Sequence, residues 1–491
     1  MTVDDRFSRL TASAAALADP DFEPQRFVSE PVLLTGSLEV LGTPNGRDMA
    51  RDALLLLMRT TKSLVVALPA GLSDLEAELQ AWAQQHAWDE VPVFRILPID
   101  LTPYAAILSI GGPPRANLPW TVITSDGWSV RASSTGAPVS QTCKIPNPVG
   151  ALAAASLGVG EVFKRLLKLR EDKGALLDGC AFSLWTYDAD PASGPELPAV
   201  LEVDLLVAGA GAIGNGVVHL LSQLPLQGRC EVLDRQTYGE ENWGTCLRLT
   251  RAASTDSKAK FLAGLLGPQL TVEPFEGDIE AMQDRTGRSP AVVLSGFDNV
   301  EARHAVQDLW PTLIVDGAIG ARLECKVGSH PWPGPVACLR CMYVRPAGER
   351  AEVVQARLTG LAVESLSNLT RELSEADVAA ANPASRAWLS ARIGKPICSV
   401  LEDAAALSAD GVAEGFRPSV PFVATFSACM MITEMVRYQT TGAVGVVPQY
   451  FLSLLWGPDY GDHYEEDRHA DCVCVTRAAV IDRHRALHKA A

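Results

Sequence analysis

The stretch LLVAGAGAIG at residues 205–214 decides the fold of this 491-residue chain. An apolar run leads into three glycines, Gly209, Gly211 and Gly214, and a helical pattern begins at once after them. Glycines let the backbone turn tightly and approach a phosphate, and a helix N-terminus adds partial positive charge towards that anion. Asp234 ends the next predicted strand, where a carboxylate can accept hydrogen bonds from ribose hydroxyls. The stretch therefore predicts a nucleotide-binding α/β unit, and by itself it suits a nicotinamide or flavin enzyme equally well.

Short continuous apolar runs recur at residues 64–68, 205–208, 292–294 and 313–315, separated by segments with helical period. Runs of this length are typical of parallel strands that are buried on both faces. Their alternation with helices predicts an α/β fold with a doubly wound sheet. A stretch rich in proline, glycine and acids at residues 188–198 predicts a linker between two domains.

The segments on the two sides of this linker resemble each other in type and order, which indicates an internal duplication. The matched pairs are LVVALPAG at 64–71 with LLVAGAG at 205–211, ILS at 107–109 with VLS at 293–295, PWTVI at 119–123 with PTLIV at 311–315, the Asp-Gly pairs at 126–127 and 316–317, and the apolar helices opened by Pro148 and Pro421, each with a glutamate thirteen residues on. We therefore expect tandem Rossmann-like halves, at residues 1–187 and 199–491.

The first half lacks the glycine loop in this alignment. Leu68-Pro69-Ala70-Gly71 places a proline and larger side chains where the second half has glycines. We therefore expect a degenerate first half, which serves as a scaffold or a partner contact, and an active second half.

The composition indicates an ordinary soluble protein, with 47% hydrophobic and 20% charged residues. A net charge of −16 argues against nucleic-acid and anionic membrane partners. The longest apolar stretch, at residues 149–162, is shorter than the roughly 20 residues that span a bilayer. The first ten residues lack the apolar core of a secretory signal, so we expect a cytoplasmic protein.

Polar residues follow the glycine loop at recognisable spacings. Asn242 lies eight residues after Asp234, Lys258 lies sixteen residues further on, and Asp298-Asn299 closes the segment LSGFDN. This series resembles the ubiquitin-activating enzyme superfamily, which includes the thiamine- and molybdopterin-pathway adenylyltransferases, over about residues 203–438. It looks most like the activating enzyme of the bacterial ubiquitin-like conjugation operons associated with antiphage defence.

The resemblance implies that the glycine loop and Asn299 lie at bound ATP, with Asp234 at the ribose. A carboxylate that attacks the α-phosphorus of ATP meets a polyanion, so the site needs cations, neutral donors and a metal. By resemblance, Lys258 and Asn242 face the phosphates and Asp298 holds Mg²⁺.

One position departs from the family pattern. Family members have an arginine three residues after the asparagine, where this chain has Thr245. We expect Arg248, three residues further on, to replace it. Arg6 and Arg9 are the candidates for an arginine that the family takes from the partner half.

Two close cysteine pairs are candidate zinc ligands in a chain with eleven cysteines. Cys338 and Cys341 form a CxxC pair, and Cys472 and Cys474 form a CxC pair near the C-terminus. Two thiolate pairs complete a tetrahedral Zn²⁺ shell, so we expect a structural zinc that pins the tail to the core. The alternative is two unrelated pairs of free thiols.

Cys398 is the candidate acyl-accepting residue. Pro396-Ile397-Cys398-Ser399 precedes a helix-like run at 400–407 and resembles the passage at the catalytic cysteine of eukaryotic activating enzymes. A thiol at a helix N-terminus has a lowered pKa. We expect a small helical insertion at 347–395 before it. The alternatives are a structural role for Cys398 and an acyl-accepting role for Cys246.

The sequence thus predicts an enzyme that adenylates the C-terminal glycine of a ubiquitin-like protein with ATP and Mg²⁺. The acyl group then forms a thioester with Cys398 and passes to a conjugating enzyme; a homodimer is possible. The rival readings are an adenylyltransferase for sulfur transfer or peptide modification without a thioester, an NAD-dependent oxidoreductase, and a catalytically dead scaffold.

Overall fold

The computed structural model describes residues 5–15, 17–18, 22–97, 99–189, 194–287, 289–320, 322–343, 351–369, 371–401, 419–442 and 447–489. It divides into two compact units. The larger unit comprises Met1–Phe297, Glu301–Met342 and Ser419–Ala491, and the smaller comprises Asp298–Val300 and Tyr343–Pro418. The predicted domain boundaries, including that of the insertion at 347–395, stay predictions.

Helices and strands alternate through the first half of the larger unit. After a 3-10 turn at Asp5–Phe7, the order is α1 (Ser8–Ala15), α2 (Pro24–Ser29), β1 (Val32–Gly36), α3 (Leu38–Leu41), α4 (Pro44–Met58), β2 (Leu64–Leu68), α5 (Ser73–His86), β3 (Val93–Ile96), β4 (Ala106–Ile110), β5 (Trp120–Asp126), β6 (Ser129–Ser133), α6 (Pro148–Leu167) and β7 (Cys180–Ser183).

The remainder of the chain continues this alternation and contains the helices of the smaller unit, α13 to α16. The order is β8 (Leu201–Ala208), α7 (Ala212–Leu221), β9 (Leu226–Leu233), α8 (Glu240–Trp243), a 3-10 turn (Arg251–Ala253), α9 (Lys258–Ala263), β10 (Leu270–Phe275), α10 (Ile279–Thr286), β11 (Val292–Ser295), α11 (Val300–Asp308), β12 (Leu313–Ile319), β13 (Glu324–Pro331), α12 (Leu339–Met342), α13 (Ala351–Thr359), a 3-10 turn (Val363–Ser367), α14 (Glu375–Ala380), a 3-10 turn (Pro383–Ser385), α15 (Arg386–Ser390), α16 (397–401), α17 (Pro421–Thr441), β14 (Gln449–Ser453), β15 (Gly457–His463), α18 (Val473–Thr476) and α19 (Ala478–Lys489).

Two sheets with the same strand order form the frame of the larger unit. The first has seven strands in the order β3-β2-β1-β4-β5-β6-β7, and the second has eight in the order β10-β9-β8-β11-β12-β13-β14-β15. In each sheet the first five strands are parallel and the rest are antiparallel. This order places two mixed α/β sheets in tandem and confirms the prediction of two Rossmann-like halves.

The strand order corrects one pair of the predicted duplication. Strand β8, which leads into the glycine loop, lies between β9 and β11, and the strand in the matching place of the first sheet is β1. The segment at 64–71 contains β2 and therefore matches β9, not β8. Local similarity misled the alignment because LVVA and LLVA are both buried parallel strands, and only their neighbours in the sheet tell them apart.

The true counterpart of the glycine loop is Gly36-Ser37, where β1 ends. Here the chain turns into the short helix α3, capped by the Ser37 hydroxyl, which accepts a hydrogen bond from Val40 N at 3.3 Å. Val40 fills the space beside the end of β4, because a Cβ added at Gly111 would lie 2.4 Å from its side chain. The side chain of Val40 thus lies close to the end of β4 in the first half.

The matched Asp-Gly pairs also differ in structure. Gly127 lies in the tight turn between β5 and β6 with a φ of +60°, whereas Asp316 and Gly317 lie inside β12. Asp316 accepts a hydrogen bond from Arg303 Nε at 3.2 Å. These two pairs therefore have no common role.

The helices α6 and α17 join the two halves at the centre of the core. They pack together, with Ser156 Oγ and Thr425 Oγ1 2.8 Å apart and the rings of Phe163 and Phe422 at 5.4 Å. Both begin at a proline, as the sequence predicts. None of the described helices is long and apolar enough to cross a membrane.

Each central helix has a buried glutamate thirteen residues after its proline, and the two are used alike. Glu161 accepts Leu177 N at 2.8 Å and pairs with Lys164; Glu434 accepts Val447 N at 2.8 Å and pairs with Arg437. Each cation also reaches a backbone carbonyl of the other half. Lys164 Nζ donates to Leu455 O at 3.4 Å, and Arg437 donates to Leu184 O at 3.4 Å.

Candidate nucleotide site and metal centre

The glycine loop lies where the order of the second sheet reverses, between the carboxyl ends of β8 and β11, the usual place for ligands in such sheets. Gly209 has a φ of +96°, and a Cβ at Gly214 would lie 2.0 Å from Gly209 O, so both positions require glycine. A Cβ at Gly211 would meet nothing within 4 Å. The loop therefore packs closely against the protein at Gly209 and Gly214, and the space beside Gly211 is empty.

The peptide groups of this loop are held by three side chains. The carboxylate of Asp234 accepts Ala210 N at 2.8 Å through Oδ2 and Gln236 N at 2.8 Å through Oδ1. The hydroxyl of Tyr238 donates to Ala210 O at 3.0 Å. The amide of Asn215 donates to the Tyr238 hydroxyl at 2.9 Å and to Gly211 O at 3.3 Å.

Lys258 is a buried cation that has no acidic partner among the described residues. Its ammonium donates to Gln236 Oε1 at 2.8 Å and lies 5.7 Å from the ring of Tyr238. The side chain is 7% exposed, and no carboxylate of the described residues forms an ion pair with it. Because a buried charge is costly unless it is paired, this ammonium favours an anionic ligand beside the loop.

Asn242 is also buried and lies in α8, sixteen residues before Lys258. Its Oδ1 accepts Gly239 N at 3.0 Å, which leaves the amide nitrogen as the donor for a ligand. The segment from Tyr238 to Lys258 is closed by an antiparallel bridge between Thr237 and Ser257, so both ends of this loop are fixed.

Arg248, which is predicted to replace the missing arginine, has its backbone next to the loop residue Asn215, with Arg248 N donating to Asn215 Oδ1 at 3.0 Å. Its guanidinium lies 3.3 Å from His219 Nδ1 and 4.9 Å from the ring centre of Trp82. His219 is eight residues along α7 from Gly211, about 12 Å at 1.5 Å per residue. Burial and, to a smaller extent, neighbouring Arg51 lower the pKa of Arg248 to about 10, while Asp52 acts in the opposite direction. The guanidinium of Arg248 therefore belongs to a buried network, and its replacement of the arginine missing at Thr245 stays a prediction.

The two N-terminal arginines, Arg6 and Arg9, stay the candidates for the arginine from the partner half. Arg6 donates to Glu90 at 3.0 Å, which commits its charge to the first half. Burial raises the pKa of the Cys246 thiol, and the charges of Lys258, Arg9 and Arg59 act against that rise.

The predicted magnesium ligand Asp298, its neighbour Asn299 and the candidate acyl-accepting Cys398 belong to the smaller unit. Asp298 and Asn299 follow β11 by two residues and are exposed, with Asn299 Nδ2 3.4 Å from Asp298 Oδ1. Cys398 is half-buried and is the second residue of α16, so the helix begins before the run at 400–407. The first two N–H groups of α16 are used, because Ile397 N donates to Arg371 O at 3.0 Å and Cys398 N to Leu369 O at 2.9 Å. Residues 402–407 of the predicted run lie outside the described residues.

The four predicted zinc cysteines come together in the larger unit. Their sulfur atoms all lie within 4.8 Å of one another, with Cys338–Cys341 at 3.8 Å and both Cys338–Cys472 and Cys341–Cys474 at 3.6 Å. Four sulfurs at about 2.3 Å from a tetrahedral Zn²⁺ are about 3.8 Å apart, so the set fits zinc. Burial raises the pKa of Cys474 to about 12, a cost that a bound dication removes.

Hydrogen bonds and packing around these cysteines connect the C-terminal tail to the second sheet. His469 N lies 3.4 Å from Cys341 Sγ, and Leu339 N donates to Gln307 Oε1 at 2.8 Å. Trp332 Nε1 donates to Asp482 Oδ1 of α19 at 3.0 Å. The cysteines thus lie in a pre-arranged shell.

Sequence reasoning missed two residues at the loop, Asn215 and Tyr238. Asn215 stands directly after the last glycine, which is one available signal. Nothing in the spacing of Tyr238 indicates that its hydroxyl returns to the loop, because that contact depends on the path of the chain after β9.

Among proteins of assigned function, the chain is similar to the bacterial E1-like protein BilD of Collimonas sp. (strain OK412), with 28% identity over 245 residues. The matched part is 47% of this chain and 52% of BilD, so the chain spans about half the length of this relative. No protein-family model matches the chain. The match confirms the resemblance to the ubiquitin-activating enzyme superfamily, which the glycine loop and the residues after it predict.

Solved structures with partial similarity include E. coli MccB with ATP, at 11% identity and a TM-score of 0.34 over 56% of this chain and 67% of that one. MccB in complex with N-formylated MccA gives 11% identity and a TM-score of 0.35 over the same shares.

Proposed function

We propose that the chain is an ATP-dependent activating enzyme that adenylates the C-terminal carboxylate of a ubiquitin-like protein. The observation that carries the proposal is the buried ammonium of Lys258, without an acidic partner among the described residues, beside a glycine loop that is open above Gly211. A triphosphate supplies the anion that both features favour. The resemblance to an E1-like protein supports the same class of reaction.

In the first step, a carboxylate oxygen of the substrate attacks the α-phosphorus of ATP, and the bond from that phosphorus to the bridging β-oxygen breaks. The products are acyl-AMP and pyrophosphate. The loop N–H groups, Lys258 and Asn242 bind the phosphate oxygens, and Arg9 adds charge from the first half. Asp298 is the proposed Mg²⁺ ligand, and the metal supplies further neutralisation of the phosphates.

In the second step, the thiolate of Cys398 attacks the acyl carbon, and AMP leaves with its phosphate oxygen. The resulting thioester passes to a conjugating enzyme. An acyl-adenylate is already activated, so the thiol needs no adjacent histidine base. The position of Cys398 in the first turn of α16 supports this role.

The metal proposal is a closed structural Zn²⁺ held by Cys338, Cys341, Cys472 and Cys474. All four ligand positions are protein sulfurs, so such a site leaves no position for substrate. Metal analysis of the purified protein tests it, with one zinc per chain expected.

Pyrophosphate exchange tests the first step. The purified chain is incubated with ATP, labelled pyrophosphate and a candidate ubiquitin-like protein, and label appears in ATP only if acyl-AMP forms reversibly. Lys258→Gln is expected to lower exchange by about 100-fold, since it removes a charge-assisted contact of about 1.5–3 kcal/mol and the developing charge in the transition state is then unpaired. Lys260→Gln, a neighbour that is exposed and pairs with Glu276, is the matched control. Equal activity of the two variants would exclude the proposed site.

A reducible thioester distinguishes this enzyme from an adenylyltransferase for sulfur transfer or peptide modification. Cys398→Ala is expected to keep pyrophosphate exchange and to lose the thioester band on a non-reducing gel. Cys143→Ala, another half-buried thiol, is the control. A thioester that persists in Cys398→Ala would assign the acyl group to another cysteine, with Cys246 as the first to examine.

The oxidoreductase reading is less well supported. Hydride transfer to a nicotinamide does not need a buried cation beside the loop, whereas adenylation does. Binding of NAD with no ATP turnover would favour it.

A further inference from the structure

The carbonyl groups of the glycine loop point into the protein, and two side chains hold them there. Ala210 O accepts the Tyr238 hydroxyl at 3.0 Å, and Gly211 O accepts Asn215 Nδ2 at 3.3 Å and Asn215 N at 2.9 Å. In a planar trans peptide the C=O and the next N–H point in opposite directions. The N–H groups of Gly211 and Ala212 therefore point away from these side chains.

Those two N–H groups are directed towards the open side of the loop. No described residue accepts a hydrogen bond from either of them, and the space above Gly211 is empty for at least 4 Å around a built Cβ. The N-cap of α7, Gly211, supplies no side-chain cap. Unsatisfied donors at a helix N-terminus beside a buried ammonium match the oxygens of a phosphate.

We propose that Tyr238 and Asn215 are positioning residues for ATP, which orient the Gly211 and Ala212 N–H groups at a phosphate without touching it. The inference rests on the proposed function and adds the residues that prepare the anion site. It also accounts for a site that lacks the arginine at position 245, since fixed backbone donors, Lys258 and Arg9 together supply the positive field.

Asn215 links the loop to the following segment as well. Its Oδ1 accepts Arg248 N at 3.0 Å, and its side chain is fully buried. Both amide ends are thus used, so the side chain is fixed in one orientation. Asn215→Asp keeps the acceptor for Arg248 N, removes the donor to Gly211 O and frees the Tyr238 hydroxyl to donate to the new carboxylate instead of Ala210 O.

The test measures binding of two ligands, ATP and adenosine, to the full chain by calorimetry. Tyr238→Phe and Asn215→Asp are each expected to weaken ATP binding about tenfold, the loss of roughly one hydrogen bond to a charged group. Adenosine, which has no phosphate, is expected to bind equally well to the wild type and both variants. Pyrophosphate exchange should show a raised KM for ATP.

Tyr187→Phe is the matched control, because this buried hydroxyl also donates to a backbone carbonyl, Met430 O at 3.4 Å. If Tyr238→Phe weakens ATP binding no more than Tyr187→Phe, or weakens adenosine equally, Tyr238 and Asn215 are only structural and the inference is wrong. If the wild type binds neither ligand, the proposed function fails instead.

Discussion

Replacing Lys164 by methionine removes the cation from a buried ion pair at the centre of the molecule. The Lys164 side chain is 2% exposed and Glu161 is 0% exposed, so water does not replace the lost partner. Glu161 then retains one backbone donor, Leu177 N, and two carbonyls, Ala175 O and Leu455 O, lose theirs. Breaking such a pair from one side costs about 3–5 kcal/mol.

Urea unfolding followed by circular dichroism measures this loss. With a slope of about 3 kcal/mol per molar urea, a destabilisation of about 4 kcal/mol lowers the midpoint by about 1.3 M. Lys168→Met, at an exposed position one turn further on, is the control and should change the midpoint by less than about 0.2 M. The double variant Glu161→Gln/Lys164→Met should be more stable than Lys164→Met alone, because no charge is left unpaired. A single variant as stable as the control, or a double variant less stable than the single, would refute the reasoning.

Three further outcomes are expected. Burial lowers the pKa of His219 to about 4 and that of His86 to about 3, so both side chains take up protons on unfolding below pH 6.5. The free energy of unfolding should therefore fall as the pH drops from about 6.5 towards 4, by up to about 1.4 kcal/mol per pH unit for each histidine. Urea unfolding midpoints at pH 7, 6 and 5 check this. A chelator should release one zinc and lower the thermal midpoint, and Cys341→Ser should do the same without chelator; an unchanged midpoint with zinc-free protein contradicts a structural metal. Arg9→Gln should raise the KM for ATP in pyrophosphate exchange several-fold while Arg6→Gln mainly lowers stability; the reverse pattern would assign the phosphate contact to Arg6.

The sequence predicted most of what depends on short-range pattern. The glycine loop, the apolar strand runs and the two proline-initiated helices lie where the pattern placed them, because strand and loop chemistry is local. The cysteine pairs meet because CxxC and CxC each fix two sulfurs and the tail returns to the sheet. These features needed no knowledge of the sheet order.

The features that the sequence did not predict are contacts between residues distant in sequence, which only the folded path of the chain brings together. The pairing of residues 64–71 with the glycine loop failed because any buried parallel strand matches another in composition. The spacing of Arg248 from Asn242 likewise gave no indication that its side chain contacts Trp82 and His219. Tyr238 was overlooked because its hydroxyl acts 28 residues from its partner Ala210.

The packing of α6 against α17 explains why a half without the glycine loop persists. Each of these helices packs against the other half. Separate expression of residues 199–491 would therefore expose a long apolar helix face to water. The loop sequence of the first half can thus change, whereas the sequence of its central helix is restricted by packing. A gene split at the linker should give two insoluble products that recover solubility only when produced together.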